Sequence, residues 1–194
     1  MWLFACLFFL IILQVNGSEL TLNVNEQFDQ HGIITDMLNS APEEFIQVSY
    51  PTGQVILGNE LTPNQARGEP RVSWPNDPTK MYTLIMIDPD APSYDNPKFR
   101  EWLHWLIVNI PGNKISSGEI LADYRGPQPP KRTGFHRYVF LVYEQKQKIN
   151  TKDQTIISRE SISGRAGFRV NIFAKKNKLG NPIAGNFYFA QNQE

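Results

Sequence analysis

Cysteine is nearly absent from this chain of 194 residues: the only one, Cys6, sits inside the apolar run over residues 2–13. A chain starting near Ser18 would carry no thiol, which excludes disulfides, thiol catalysis and cysteine-ligated metal. A domain of roughly 175 residues buries enough apolar surface to fold without cross-links. Excess charge is missing too, since Lys plus Arg and Asp plus Glu both total 19. Without a basic footprint, nucleic acid is not an expected partner. No apolar run is long enough to span a bilayer, and the one over residues 2–13 is too short. Its position, followed by Gln14, Val15, Asn16 and Gly17, fits a secretory leader cleaved after about residue 17. An uncleaved N-terminal anchor is the alternative. The expected organisation is a signal peptide over residues 1–17 and one domain over 18–194, a secreted chain with no transmembrane segment once mature. Internal repeats, low-complexity segments, P-loops, dinucleotide fingerprints and G-x-S-x-G elbows are all missing. The sequon Asn16-Gly17-Ser18 would be split by the cleavage.

What is present is strand-like. Asn25 is placed to cap a short helix over residues 26–31 that Gly32 ends. Residues 45–50 have strand composition, Pro51-Thr52-Gly53 is turn chemistry, and residues 54–57 read as the hairpin partner. Residues 58–68 read as polar connection, and 71–74 as a further short strand. Residues 82–87 form a continuous apolar run that suits a strand buried on both faces. In residues 101–110, strict alternation puts Trp102, His104, Leu106 and Val108 on one face and Leu103, Trp105, Ile107 and Asn109 on the other. Residues 111–132 form a long Pro/Gly-rich connection, a length usually reserved for function. Residues 135–143 resume strand, with His136, Tyr138, Phe140 and Val142 facing one way. Residues 163–176 carry a helical stripe at Phe168, Ile172 and Phe173, and residues 186–190 read as a last strand. Many strands without a strand–helix–strand rhythm predict a mainly β, mainly antiparallel fold.

The chemistry concentrates in residues 82–143. Asp88-Pro89-Asp90-Ala91-Pro92 ends the buried run, and taken alone it is an ordinary strand-ending turn. Two of the three histidines, His104 and His136, occupy inward strand positions beside Trp102 and Tyr138. One such histidine is more often a satisfied core residue than a ligand-binding one, but two in matching contexts point to a site. An imidazole can donate to a phosphate oxygen, with a neighbouring carboxylate setting its tautomer. The loop over residues 126–130 offers a few further backbone donors. Asp88, His104 and His136 also form a two-His-one-carboxylate set, although the short spacing usual for metal ligands is absent. Anion binding is therefore preferred over metal binding, and no cofactor is called for.

The motifs DPDAPS over residues 88–93, PKFREWLHWLIVNI over 97–110 and GFHRYVFLVYEQ over 134–145 resemble the signatures of the phosphatidylethanolamine-binding protein family. NELTPNQ over residues 59–65 and VSW over 72–74 are similar to an earlier segment of that family. The family is also known for Raf kinase inhibitory proteins. The resemblance implies a large central antiparallel sheet with a smaller flanking sheet and a few short helices. It implies a shallow pocket for phosphate, phosphorylethanolamine or similar anions, built from Asp88, Pro92, Trp102, His104, Gly126, Pro130, His136 and Tyr138. It further implies cis peptide bonds at Ala91-Pro92 and Arg100-Glu101. Three departures stand out: Phe99 where many members have Tyr, Gln128 where Gly is common, and an end at Glu194, soon after Tyr188. The last implies that the C-terminal helix covering the pocket mouth in animal members is missing, leaving a more open pocket with weaker or broader ligand choice. The expected role is a non-enzymatic binding protein for an anionic small molecule or phospholipid headgroup. A regulator of a protein partner, such as a serine protease or a phosphorylated protein, is the second expectation, and a hydrolase using His104 or His136 as base is the third.

Overall fold

The computed structural model describes residues 23–194 in full and, before them, the backbone of Ile12–Val15 (β1) and Ser18–Thr21 (β2), which pair as an antiparallel ribbon. The predicted leader and its cleavage site lie largely outside the described residues. Two short helices follow, α1 (Val24–Gln30) and α2 (Ile33–Met37). Asn23, not Asn25, caps α1: its side chain accepts from the Asn25 and Glu26 N–H groups.

A seven-stranded sheet organises everything else. Its order is β10 (Glu119–Ala122), β9 (Trp102–Pro111), β8 (Met81–Asp88), β11 (His136–Gln145), β12 (Ala184–Ala190) and β3 (Glu44–Phe45), with β6 (Asn59–Glu60) also pairing β12. The central pairs are antiparallel, whereas β3 and β6 run parallel to β12. The segment read as one strand over residues 45–50 is two: it leaves the large sheet after β3 and enters a three-stranded sheet as β4 (Gln47–Tyr50), between β5 (Gly53–Val55) and β7 (Arg71–Ser73). The supposed polar connection over residues 58–68 contains β6.

Two apolar clusters sandwich the large sheet. One face, with Ile85, Ile87, Val139 and Leu141, packs under α1, α2 and α3 (Val170–Lys176). The other, with Leu84, Met86, Phe140 and Val142, packs against Val48, Val55 and Val72 of the small sheet. Strand β8 is thus buried on both faces, as its apolar run predicts, and β11 alternates as predicted. Helix α3 is shorter than expected. It starts at Val170, it buries Val170 and Ala174, and Ile172 of the predicted stripe is exposed at 66%. Residues before it, with Gly164 and Gly167 at positive φ, form a loop.

Strand β9 departs from strict alternation in a way that shapes the site. Met86 pairs Trp105 and Ile87 pairs Leu103, so His104 is one residue too many for its partner strand, a β-bulge. The bulge puts Leu103 and Trp105 in opposite clusters and turns Leu106 and Val108 away from the His104 side. A second irregularity lies at Asn109, whose φ of 58° suits asparagine and whose side chain bonds the Ile149 carbonyl and Gln145. A short 3-10 turn, Ile115–Ser117, leads into β10.

Candidate binding pocket

The ends of β8, β9 and β11 meet at a cavity of about 300 Å³. Seven of the eight residues expected there line it: Asp88, Pro92, Trp102, His104, Pro130, His136 and Tyr138. The eighth, Gly126, does not. Its Cα faces the backbone of Ala66 and Arg67, where an added Cβ would lie 2.7 Å from the Ala66 carbonyl oxygen. Glycine there lets the rim loop lie flat on a neighbouring segment. Ala91, Phe99, Arg125, Gln128, Pro129 and Ile162 complete the lining. The Ala91-Pro92 and Arg100-Glu101 bonds are both cis.

His136 is fully committed within the protein. Its Nε2 lies 2.9 Å from Thr133 Oγ1, and that hydroxyl also lies 2.8 Å from the Pro130 carbonyl oxygen. Its Nδ1 lies 2.8 Å from Asp88 Oδ2, with a proton between the two. Asp88 is buried and also accepts the Asp90 N–H at 2.7 Å through Oδ1. Burial pushes its carboxyl above the usual carboxylate range, and the hydrogen bond to His136 opposes this.

His104 is fixed differently. Its Nδ1 faces the Arg125 carbonyl at 2.6 Å, an acceptor only, so Nδ1 carries the hydrogen. Burial pulls its pKa down to about 3, which leaves the ring neutral near pH 7 and Nε2 a bare acceptor. Both ring nitrogens of His136 are thus spent inside the protein, and His104 presents Nε2 as an acceptor. Tyr138 packs edge-on to the His104 ring at 5.1 Å and stacks on Tyr188 at 5.2 Å, forming a rigid floor.

Two arginines that sequence reasoning passed over hold these groups in place. Arg165, fully buried in the loop before α3, donates to the carbonyls of Leu103, His104, Asp123, Ser158 and Ser161. It thereby ties the bulge to the rim, and the Arg125 N–H adds a bond of 2.9 Å to the His104 carbonyl. Its setting, Gly164-Arg165-Ala166-Gly167, is the one sequence signal: an arginine between flexible residues is free to turn inward. On the opposite face of β11, Arg137 bonds Asp90, Asp36 and the His31 carbonyl, and Arg100 joins the same acids. This ionic cluster pins the loop after β8 to α1 and α2. Among the described residues, no group of three or more His, Cys, Asp or Glu is arranged to hold a metal, so the two-His-one-carboxylate set is not assembled as ligands. No described helix is long and apolar enough to cross a membrane.

The family model for phosphatidylethanolamine-binding protein matches residues 49–189. The chain belongs to that family. It is 38% identical over 167 residues to a Drosophila melanogaster protein named putative odorant-binding protein A5, covering 86% of this chain and 79% of the relative. A carboxypeptidase Y inhibitor, solved in complex with its cognate proteinase, is 27% identical with a TM-score of 0.74, covering 88% of this chain and 95% of that one. The phosphatidylethanolamine-binding protein of Plasmodium vivax superposes with a TM-score of 0.75 at 23% identity, covering 88% and 98%, and shows the shared fold.

Proposed function

We propose that this protein is a secreted binding protein for small anionic headgroups of the phosphate-ester type, which it holds without transforming them. The observation that carries this reading is the proton arrangement in the cavity. His136 spends both ring nitrogens on Asp88 and Thr133, and His104, at about 3, is too weak a base for proton transfer near neutral pH. What remains is a preformed, aromatic-walled recess with an internally paired acid and imidazole and one bare acceptor, His104 Nε2. That acceptor suits a headgroup bringing its own donor, such as the P–OH of a phosphate monoester monoanion or the ammonium of phosphorylethanolamine.

Titration calorimetry with phosphorylethanolamine tests it. Stoichiometric binding that weakens on Trp102→Ala and His104→Leu supports the reading. No binding at millimolar ligand, or turnover of a phosphoester that His104→Leu abolishes, overturns it. Expressing the full chain and finding the mature N-terminus near Ser18 in the medium tests the secretory leader.

A second reading has support of its own. Tyr94, Phe99 and Ile162 are exposed at 57%, 40% and 63%, and the last two stand at the pocket mouth. Exposed apolar groups around a recess fit a protein partner, and one similar structure is named a carboxypeptidase inhibitor. Inhibition of a serine carboxypeptidase that is lost on Phe99→Ser with Ile162→Ser would favour it.

A further inference from the structure

The cavity's charge balance points to one residue. Among the described residues that line it, Asp88 is the only carboxyl and Arg125 the only lysine or arginine. Asp88 is taken up by His136 and His104 by the Arg125 carbonyl, which leaves the Arg125 guanidinium as the free cationic group of the lining. Among the described residues no carboxylate pairs with it. It donates instead to the Arg159 carbonyl at 2.7 Å through Nη1 and to Gln128 Oε1 at 2.6 Å through Nη2. Neutral acceptors orient a guanidinium without cancelling its charge, and several of its five N–H donors stay available. Gln128 stands at the rim of the cavity. Here its amide aims the arginine.

Beside that charge lies apolar surface. The Arg125 contact with the carbonyls of residues 159 and 160 brings the next turn of chain alongside, where Ile162 is 63% exposed, and Phe99, 40% exposed, also lines the mouth. A cation flanked by exposed Ile and Phe is complementary to a molecule with one charged end and one greasy end.

Resting on the anion-binding reading above, we propose that Arg125, aimed by Gln128, sets the ligand class of this pocket as amphipathic monoanions. The charged head sits on the guanidinium and an alkyl chain runs out over Ile162 and Phe99. A phosphate monoester and a carboxylate share this chemistry.

Calorimetry with octyl phosphate, octanoate, inorganic phosphate and 1-octanol tests the assignment. Octyl phosphate or octanoate should bind at least about tenfold tighter than inorganic phosphate and 1-octanol, the scale of one charge-assisted hydrogen bond or of a few buried methylenes. Whichever of the two binds more strongly identifies the head. Arg125→Gln should weaken that probe about tenfold or more and leave 1-octanol unchanged, and Arg125→Lys should restore most of the loss. Gln128→Gly should weaken it by less than Arg125→Gln does, and Ile162→Ser should weaken octyl phosphate without affecting inorganic phosphate. Unchanged octyl phosphate affinity in a folded Arg125→Gln protein overturns the proposal, as does an inorganic phosphate affinity equal to that of octyl phosphate. If phosphorylethanolamine still binds in either case, the anion-binding reading survives alone. If no anion binds the unaltered protein, both fall.

Discussion

Arg137 grips Asp90 with two prongs, Nε to Oδ2 at 2.9 Å and Nη2 to Oδ1 at 2.6 Å, and both side chains are almost wholly withdrawn from water. The Arg137 N–H reaches the same carboxylate at 2.9 Å. Desolvation and bidentate geometry together make this pair costly to break from one side, because losing Asp90 leaves the largely buried Arg137 and Arg100 to share the single carboxylate of Asp36. Asp90→Ala should destabilise the fold by about 3–5 kcal/mol in urea denaturation. Replacing both residues by apolar ones of similar size should be markedly milder than either single change.

Arg165 should behave as a positioning residue for the pocket. Five carbonyls lose the Arg165 donor in Arg165→Met, of which those of His104 and Ser158 keep a main-chain N–H, from Arg125 and Ser161. Unpaired buried acceptors cost about 1–3 kcal/mol each where water cannot reach them. The expected result is a loss of about 3 kcal/mol or more, read by thermal melting. Under conditions where the variant stays folded, the His104 side-chain resonances should shift, because the ring depends on the anchored Arg125 carbonyl. A variant that loses stability while those resonances keep their positions would show that Arg165 serves the scaffold alone.

His104 makes the protein sensitive to acid. Its folded-state pKa, about 3, lies below the ordinary histidine value of 6.5. Between these values the unfolded chain binds a proton that the folded one refuses, so stability is full above about pH 6.5 and falls as pH drops toward 3. His104→Asn should flatten that part of the stability–pH curve, measured by denaturant midpoints from pH 7 to pH 4.

Glu101 acts in the opposite direction. Burial pushes its carboxyl up to about 7 while it accepts the Val170 N–H at 2.8 Å. A raised folded-state value means that the stabilising contribution is complete below the ordinary 4.5 and fades as pH rises through 7. Glu101→Gln keeps an acceptor for Val170 and cannot ionise. The variant should therefore gain on the parent between pH 4.5 and pH 7, by an amount on the order of 2–3 kcal/mol. A curve parallel to that of the parent would show that Glu101 ionises freely.

Strands β8 and β11 were legible because each is an unbroken run whose faces follow the twofold period. That period placed Tyr138, Phe140 and Val142 on one side of β11, where they pack. The same rule failed on β9, since a bulge is a property of the pairing and nothing in its own residues marks His104 as surplus. Trp102 and His104 still reach one cavity, though Leu106 and Val108 do not share their face. The helix read over residues 163–176 failed for a different reason: hydrophobic spacing does not reveal that Arg165 finds five carbonyl partners by leaving the helical path. The parallel pairing of β3 and β6 with β12 joins segments more than a hundred residues apart, beyond the reach of any local pattern. At the site, the residue types were readable but the proton positions were not. Those depend on Thr133, whose hydroxyl faces both Pro130 and His136, and on a main-chain oxygen of Arg125.

The surplus residue on β9 also makes the recess separable from the body of the protein. Ile87 and Met86 already pair Leu103 and Trp105 on either side of it, so the hydrogen-bond ladder is complete without His104. A chain one residue shorter at that point would retain those partners while lacking the imidazole, its anchored carbonyl and the kink that opens the strand. The sheet thus contains its own blank: a deletion at position 104 should keep the β8–β9 pairing while removing the acceptor on which the headgroup reading rests.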